Sequence, residues 1–139
     1  MTKSRLKEVI GGGVKLTIIR GLPGSGKSTM ARNLPGYKNM DHWEADMFFE
    51  QNGRYQFDPN KIKEAHQWCQ SNVRRSLEAG RSVVVSNTFV RKWEVEPYLT
   101  MAHELNVPVE ILTATGNYRN VHDVPDEAVE RMRENWEDF

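Results

Sequence analysis

Residues 21–28, with the sequence GLPGSGKS, place three glycines, a lysine and a serine after the apolar run VKLTII. They fit the pattern G-x-x-x-x-G-K-[ST], in which the glycines let the backbone turn so that several N–H groups converge on one anion. The lysine of this pattern supplies charge for the β- and γ-phosphates, and the serine hydroxyl binds Mg²⁺. The segment therefore predicts a binding site for a nucleoside triphosphate.

A strand pattern before this phosphate loop and a helix pattern after it support the prediction. Residues 14–20 are typical of a buried strand, and residues 26–33 are typical of a short helix whose free N–H groups would face the same anion. Lys27 is expected to act in catalysis, and Ser28 is expected to bind the metal. The residues expected to bind ATP or GTP are Gly21, Leu22, Pro23, Gly24, Ser25, Gly26, Lys27, Ser28 and Thr29.

Asp46 is the strongest candidate for activating an acceptor hydroxyl. It ends the second strand pattern, residues 40–46, where the edge of a parallel sheet would meet the phosphate loop. Phosphoryl transfer often uses a carboxylate as the base for the incoming hydroxyl, and Asp46 could also hold a water bound to Mg²⁺. Glu44, two residues earlier and on the same face of the predicted strand, is the alternative base. Alternatively, Asp46 could be an ordinary loop acid without a function in the site.

Two further segments follow strand patterns at the same predicted edge. Ser86, Asn87 and Thr88 follow the third strand, where P-loop enzymes often have an acidic residue for Mg²⁺. Because this chain has no acid there, a metal contact would run through water or through Asp46. The three polar side chains could bond the substrate or the phosphate loop, or they could only cap a turn. Arg119 follows the last strand and could close over the triphosphate, or it could be a solvated loop residue.

Other side chains are weaker candidates for a role in the site. Arg54 and Tyr55 could line an acceptor groove. Trp93 could stack on a base, but we expect its ring to be buried. His122 carries only a weak functional signal, and His66 is expected to be a packing histidine beside the apolar stripe of a long helix.

Strand and helix patterns alternate four times along the chain. The predicted strands are residues 14–20, 40–46, 81–86 and 107–115, and the predicted helices are residues 26–33, 60–79, 94–105 and a last helix that begins at Pro125. Residues 49–60 are predicted to be a loop. Alternation of this kind predicts an α/β fold with a parallel sheet of four to five strands flanked by helices. The longest predicted helix carries its apolar residues on one face: Ile62, Ala65, Cys69, Val73 and Leu77.

Length and composition favour a single domain without a membrane partner. The chain has 139 residues and no apolar run near the ~20 residues that cross a membrane. We expect a kinase domain at residues 14–139 behind a flexible N-terminal lead at residues 1–13, with no secretory signal. Cys69 is the only cysteine, which excludes an internal disulfide and suits a reducing, cytoplasmic setting.

The charge of the chain is zero in total but uneven along the sequence. Residues 1–40 contain eight Lys/Arg and one acid, which gives +7, and the remaining residues carry the balancing −7. A basic segment beside a phosphate loop could attract nucleic acid, or it could simply surround a triphosphate. Both interpretations stay open.

Five segments together resemble the polynucleotide-kinase-like branch of P-loop kinases. In chain order they are RGLPGSGKSTMARNL, ADMFFEQNGRYQFD, AHQWCQ, SNTFVRKWEVEPY and RNVHDVP, and the resemblance covers about residues 14–137. The phosphate loop is shared by many families, whereas the combination of the later segments is more specific. This branch includes the kinase half of the bacteriophage polynucleotide kinase and small ATP-binding domains of phage and eukaryotic proteins.

The resemblance implies that the α/β fold is of the P-loop NTPase kinase type. It also implies that ATP or GTP phosphorylates a hydroxyl group, typically the 5′-OH of a nucleic acid. It implies that Lys27 and Ser28 bind phosphate and Mg²⁺. It also implies that Asp46 activates the acceptor hydroxyl and that Arg119 belongs to a lid over the nucleotide.

The sequence departs from the family pattern at two places near the predicted acceptor site. Phe49 stands where the phage enzyme has an arginine, and the Ser86-Asn87 pair is neutral where the family has an acid. The phosphate loop is unaffected by these changes, but the acceptor is left open. It could be a nucleic-acid end or a small nucleoside or nucleotide, or the chain could be a nucleotide-gated binding module with little transfer activity.

Overall fold

The main element of the fold is a sheet of four parallel strands, seen in a computed structural model that describes residues 13–51, 53–116 and 124–139. The strands in chain order are β1 (Leu16–Arg20), β2 (Asp41–Trp43), β3 (Glu50–Gln51), β4 (Arg54–Tyr55), β5 (Val83–Asn87) and β6 (Val109–Thr113). The sheet order is β2-β5-β1-β6, and β3 pairs with β4 in a separate antiparallel hairpin. The predicted parallel α/β fold is confirmed.

Within the described residues, four α-helices connect or follow the strands of the sheet. They are α1 (Lys27–Arg32), α2 (Ile62–Glu78), α3 (Lys92–Glu104) and α4 (Asp126–Asn135). Short 3₁₀ turns lie at Tyr37–Asn39, Ala45–Phe49 and Pro59–Lys61. In the part of the chain that the structure describes, no helix is both long and apolar enough to span a membrane.

The two central strands are buried on both faces, which explains their continuous apolar sequences. Alternate residues of β1 and β5 point to opposite sides, so Leu16 and Val83 join one core cluster and Ile19 and Val84 join another. The first cluster contains the apolar faces of α2 and α3, and the second contains Ala31 of α1. The helices therefore cover both faces of the sheet and leave its carboxyl edge for the phosphate loop.

Several local predictions differ from the structure. The predicted strand at residues 40–46 ends at Trp43, and Asp46 lies on the following 3₁₀ turn because the chain leaves the sheet there. The predicted loop at residues 49–60 contains the β3–β4 hairpin and a 3₁₀ turn. Ile62 and Trp93 were predicted to be buried, but their exposed fractions are 43% and 70% because each lies at the start of its helix, beyond the packed face.

The C-terminal segment is fixed to the sheet by a buried arginine. Arg20, the last residue of β1, is 1% exposed and donates from Nη2 to the carbonyl oxygens of Phe89 and Glu137, each at 2.6 Å. Its guanidinium carbon lies 4.2 Å from the ring centroid of Trp136. The Glu137 N–H also donates to the Val90 carbonyl at 2.9 Å. The residues after α4 are thereby held against the start of the phosphate loop.

Candidate active site

The phosphate loop lies between β1 and α1 and needs glycine at three positions. Gly24 and Gly26 have φ values of 80° and 92°, in the left-handed region that favours glycine. Gly21 is required for space, since a Cβ there would press on Ser25 Oγ and lie 2.9 Å from the carbonyl oxygen of Ala114. The Gly21 N–H donates to the Thr88 carbonyl at 3.2 Å, which ties the loop to the end of β5.

Lys27 places its ammonium group over this loop and near two carboxylates. Its Nζ donates to the Leu22 carbonyl at 3.1 Å. Burial lowers the pKa of Lys27, while the charges of Glu44 and Asp46 act in the opposite direction and raise it. Both carboxylates are therefore within electrostatic reach of the lysine at the carboxyl edge of the sheet.

Ser25 and Ser28 are the two hydroxyl side chains of the loop region that face inwards. Ser25 Oγ is buried and has no hydrogen-bond partner within the described part of the chain. Ser28 Oγ donates to Glu44 Oε2 at 2.7 Å. A buried hydroxyl without a protein partner is consistent with a loop built to bond an additional anion. Thr29, the next predicted contact, is exposed on α1.

Glu44 is the carboxylate that contacts the phosphate loop most directly. Besides Ser28, its Oε2 accepts from Ser86 Oγ at 2.5 Å and lies 3.0 Å from His42 Nε2. Tyr37 bonds the other ring nitrogen of His42, with its hydroxyl 2.8 Å from Nδ1. These contacts fix the orientation of the carboxylate beside Ser28.

The pKa of Glu44 reflects these hydrogen bonds. Burial by itself would raise the pKa, but the hydrogen bonds from His42, Ser86 and Ser28 together outweigh burial and hold the pKa at about 2. The side chain is 22% exposed. Glu44 is thus a carboxylate anion at neutral pH, and it lies beside Ser86, a neutral residue of β5.

Asp46 is held on its turn from two sides. The preceding N–H, that of Ala45, donates to Asn87 Oδ1 at 2.8 Å, which anchors the turn to the end of β5. The Tyr55 hydroxyl, from the β3–β4 hairpin, donates to Asp46 Oδ1 at 3.3 Å. Burial, followed by the charge of Asp46 and this hydrogen bond, raises the pKa of Tyr55 to about 12, so the hydroxyl keeps its proton.

Ser28 and Glu44 offer oxygen ligands of the kind that Mg²⁺ prefers. A serine hydroxyl and a carboxylate 2.7 Å apart match the mixed protein and water coordination usual for this ion. Among the described residues there is no group of three or more His, Cys, Asp or Glu side chains that could bind a metal by themselves. This donor set fits a Mg²⁺ ion that is shared with a nucleotide phosphate rather than a closed protein site.

The structure brings some of the predicted site residues together, and others lie outside its described part. Lys27, Ser28 and Asp46 lie together at the carboxyl edge, whereas Arg119 and His122 lie outside the described residues. Two of the other candidates hold the site together: the Asn87 side chain accepts from the Ala45 N–H, and the Thr88 carbonyl accepts from the Gly21 N–H of the phosphate loop. His66 is half-buried and Arg54 is exposed.

The contact between Ser28 and Glu44 was not predicted from the sequence. The signal for it lay in strand register, because Trp43 pairs with Val85 in adjacent parallel strands. The residues that follow this pair are Glu44, just past the end of β2, and Ser86 in β5, which puts the acid beside the neutral serine. The register could be read only after the pairing of β2 with β5 was known.

Comparison with known proteins identifies the family. The family model described as AAA domain matches residues 16–138, which is most of the chain. The chain belongs to this family. It is a P-loop kinase domain, and its predicted resemblance to polynucleotide kinases is confirmed. One relative is human NEDD4-binding protein 2, which is 34% identical over 143 residues; the match covers 91% of this chain and 8% of the human protein.

Solved structures with a similar fold include domains of larger assemblies and small-molecule kinases. A chain of the Pnkp1/Rnl/Hen1 RNA repair complex superposes with a TM-score of 0.63 at 20% identity, over 88% of this chain and 43% of that chain. A gluconokinase from Sinorhizobium meliloti 1021 superposes with a TM-score of 0.59 at 15% identity, over 89% of this chain and 75% of that chain. These likenesses establish the fold.

Proposed function

We propose that the chain transfers the γ-phosphate of ATP or GTP to a hydroxyl group, with the 5′-OH of a nucleic acid as the favoured acceptor. The observation that carries this proposal is the cluster of Lys27, Ser28, Glu44 and Asp46 at one edge of the sheet. Phosphoryl transfer needs a phosphate cradle, cationic charge, a metal ligand and a base. The four side chains, with the phosphate loop, supply one group for each requirement.

The phosphate loop would bind the triphosphate through its N–H groups, the Ser25 hydroxyl and Lys27. Ser28 would bind Mg²⁺, and Glu44 would accept hydrogen bonds from the waters of that ion, which makes it the replacement for the acid missing after β5. When bound, Mg²⁺ would neutralise charge on the phosphate being transferred. Asp46 could share in holding this water shell.

Asp46 would act as the base for the acceptor. The acceptor oxygen forms a bond to the γ-phosphorus as the bond from that phosphorus to the bridging oxygen of the diphosphate breaks, and the hydroxyl proton passes to the Asp46 carboxylate. The nucleoside diphosphate leaves with the bonding electrons. Arg119, as the family resemblance implies, would close over the nucleotide and stabilise charge on the transferred group.

A small nucleoside or nucleotide acceptor is the second candidate. The arginine that the phage enzyme has three residues after its base is Phe49 here, and Phe49 is 5% exposed. A buried ring cannot pair with a backbone phosphate of a long acceptor. An acceptor that enters without such a phosphate contact would be compatible with this arrangement.

The decisive experiment incubates the protein with γ-labelled ATP, Mg²⁺ and a panel of 5′-OH oligonucleotides, nucleosides and nucleotides. We expect label on the oligonucleotides, and label only on small acceptors would support the second candidate. If calorimetry shows ATP binding but no acceptor is labelled, both candidate transfer functions would be rejected in favour of a nucleotide-gated binding module. Lys27→Ala should abolish transfer, and Lys38→Ala, at an exposed lysine, is the matched control.

A further inference from the structure

The β3–β4 hairpin presents two partly exposed aromatic rings beside Asp46. Tyr55 is 36% exposed and Phe57 is 51% exposed, although large aromatic side chains are usually buried. Both rings contact Phe49, with ring centroids 6.3 Å and 5.1 Å from it. The two rings therefore share a support and form one surface, which we call the aromatic step.

The backbone of the hairpin fixes the position of the aromatic step. Glu50 pairs with Tyr55 in the antiparallel ladder, and the Gln56 N–H donates to the Phe49 carbonyl at 2.8 Å, one residue beyond β4. Residues two apart in an extended segment lie on the same face, so Tyr55 and Phe57 both face Phe49. Phe49 itself ends the 3₁₀ turn that carries Asp46.

The aromatic step is joined to the proposed base by a hydrogen bond. The Tyr55 hydroxyl donates to Asp46 Oδ1 at 3.3 Å. An acceptor whose hydroxyl reaches Asp46 must therefore pass close to the Tyr55 ring. This adjacency makes the acceptor the occupant that we assign to the step.

We propose that the aromatic step stacks against the unpaired base of the nucleotide that bears the acceptor hydroxyl, an inference that rests on the proposed transfer to a 5′-OH. Stacking on an aromatic ring tolerates any base and needs no phosphate contact. It would thus supply acceptor affinity where Phe49 replaces the arginine. The terminal base of a duplex is held in place by its pairing partner and by the base pair below it, so it can turn onto the step only where the end frays, and the step favours single-stranded or frayed ends. Tyr55 is in addition a positioning residue for Asp46.

The test measures kcat and KM for three acceptors of the same length. They are a single-stranded 5′-OH oligonucleotide, the same strand with an abasic first nucleotide, and the same strand in a blunt duplex. Stacking is worth about 1–3 kcal/mol per base, so Phe57→Leu should raise KM for the single strand roughly 5- to 150-fold with kcat unchanged. It should leave the abasic and duplex acceptors, which start with a high KM, nearly unaffected.

Tyr55→Phe separates positioning from stacking, because it keeps the ring and removes the hydroxyl. We expect a several-fold lower kcat with an unchanged KM for the single strand. Phe139→Leu, at a ring that is 56% exposed beyond α4, is the matched control and should behave as the wild type.

The outcomes distinguish this inference from the proposed function. Transfer with equal KM values for intact and abasic acceptors, or a Phe57→Leu variant that matches Phe139→Leu, overturns the aromatic step and leaves the kinase assignment standing. Transfer to small molecules without a base does the same. Absence of transfer to every acceptor, with ATP still bound, overturns both.

Discussion

Glu44 is the residue on which the metal part of the proposed mechanism depends. It accepts from Ser28 at 2.7 Å and from Ser86 at 2.5 Å, so it connects the phosphate loop with the strand that lacks its own acid. A carboxylate that orients a metal ligand or its waters is the kind of group whose removal weakens metal binding. Its role can be separated from that of Asp46 by the metal dependence of the rate.

Glu44→Gln should raise the Mg²⁺ concentration needed for half-maximal transfer by roughly 10- to 100-fold, because the neutral amide holds metal-bound water less well. Initial rates over a Mg²⁺ titration measure this shift. Glu78→Gln, at the exposed end of α2, should leave the titration unchanged. An unshifted titration for Glu44→Gln would remove Glu44 from the metal site.

Acid titration gives a second test of Glu44 in the protein without nucleotide or metal. Because the folded-state pKa is about 2 and the ordinary value is 4.5, Glu44 stabilises the fold fully above about pH 5 and loses this contribution as the pH falls towards 2. The shift corresponds to roughly 3 kcal/mol in the free energy of unfolding, reduced by solvent screening. Denaturant unfolding between pH 7 and 2 should show a shallower pH dependence for Glu44→Gln, and parallel curves would contradict the pKa.

At the scale of elements, the 3₁₀ turn at Ala45–Phe49 is what brings Asp46 to the site. The turn is anchored on one side by the Asn87 side chain, which accepts from the Ala45 N–H at 2.8 Å while Asn87 is 8% exposed. On the other side it is anchored by the β3–β4 hairpin through Tyr55. The proposed base is therefore positioned by two elements that are distant in sequence.

Asn87→Ala should destabilise the fold by about 1–3 kcal/mol, since the buried Ala45 N–H loses its acceptor. Transfer should slow as well, because the turn that carries Asp46 loses its anchor to β5. Chemical denaturation measures the first effect and single-turnover kinetics the second. A stable variant with a normal single-turnover rate would show that the hairpin alone positions the turn.

The sequence predicted the sheet, the helices and the phosphate loop because these depend on local patterns. The buried run at residues 14–20 and the spacing of Gly21, Lys27 and Ser28 need no knowledge of neighbours. The Glu44 contact depends on strand register, and the step formed by Tyr55 and Phe57 depends on how the hairpin folds back over Phe49. Both are long-range consequences of pairing, which periodicity does not reveal.

At the scale of the whole molecule, Arg20 joins the phosphate loop to the C-terminal segment. Arg20 directly precedes the loop. Its guanidinium donates to the carbonyl oxygens of Phe89 and Glu137, and its central carbon lies 4.2 Å from the Trp136 ring centroid. Burial lowers the pKa of Arg20, and the nearby charges of Asp138, Glu94 and Glu137 oppose that shift. The charge is thus retained inside the fold by carbonyl groups and an aromatic face.

Trp136→Ala should lower the free energy of unfolding by roughly 2–4 kcal/mol, since it removes a large packed ring and uncovers a buried cation. Phe139→Ala is the matched control, because Phe139 is 56% exposed and its ring centroid lies 5.0 Å from the same guanidinium. Its loss should cost below about 1 kcal/mol. Equal effects of the two substitutions would contradict the importance of the Trp136 contact.

The central claim is that Asp46 takes the proton of an acceptor hydroxyl in a phosphoryl transfer. The most direct measurement compares Asp46→Asn with the wild type by single-turnover transfer of labelled phosphate and by ATP calorimetry. The amide keeps the size of the side chain but cannot accept the proton, so the rate should fall by about 10²–10⁴-fold while ATP affinity changes little. A folded Asp46→Asn variant with full transfer activity would contradict the claim.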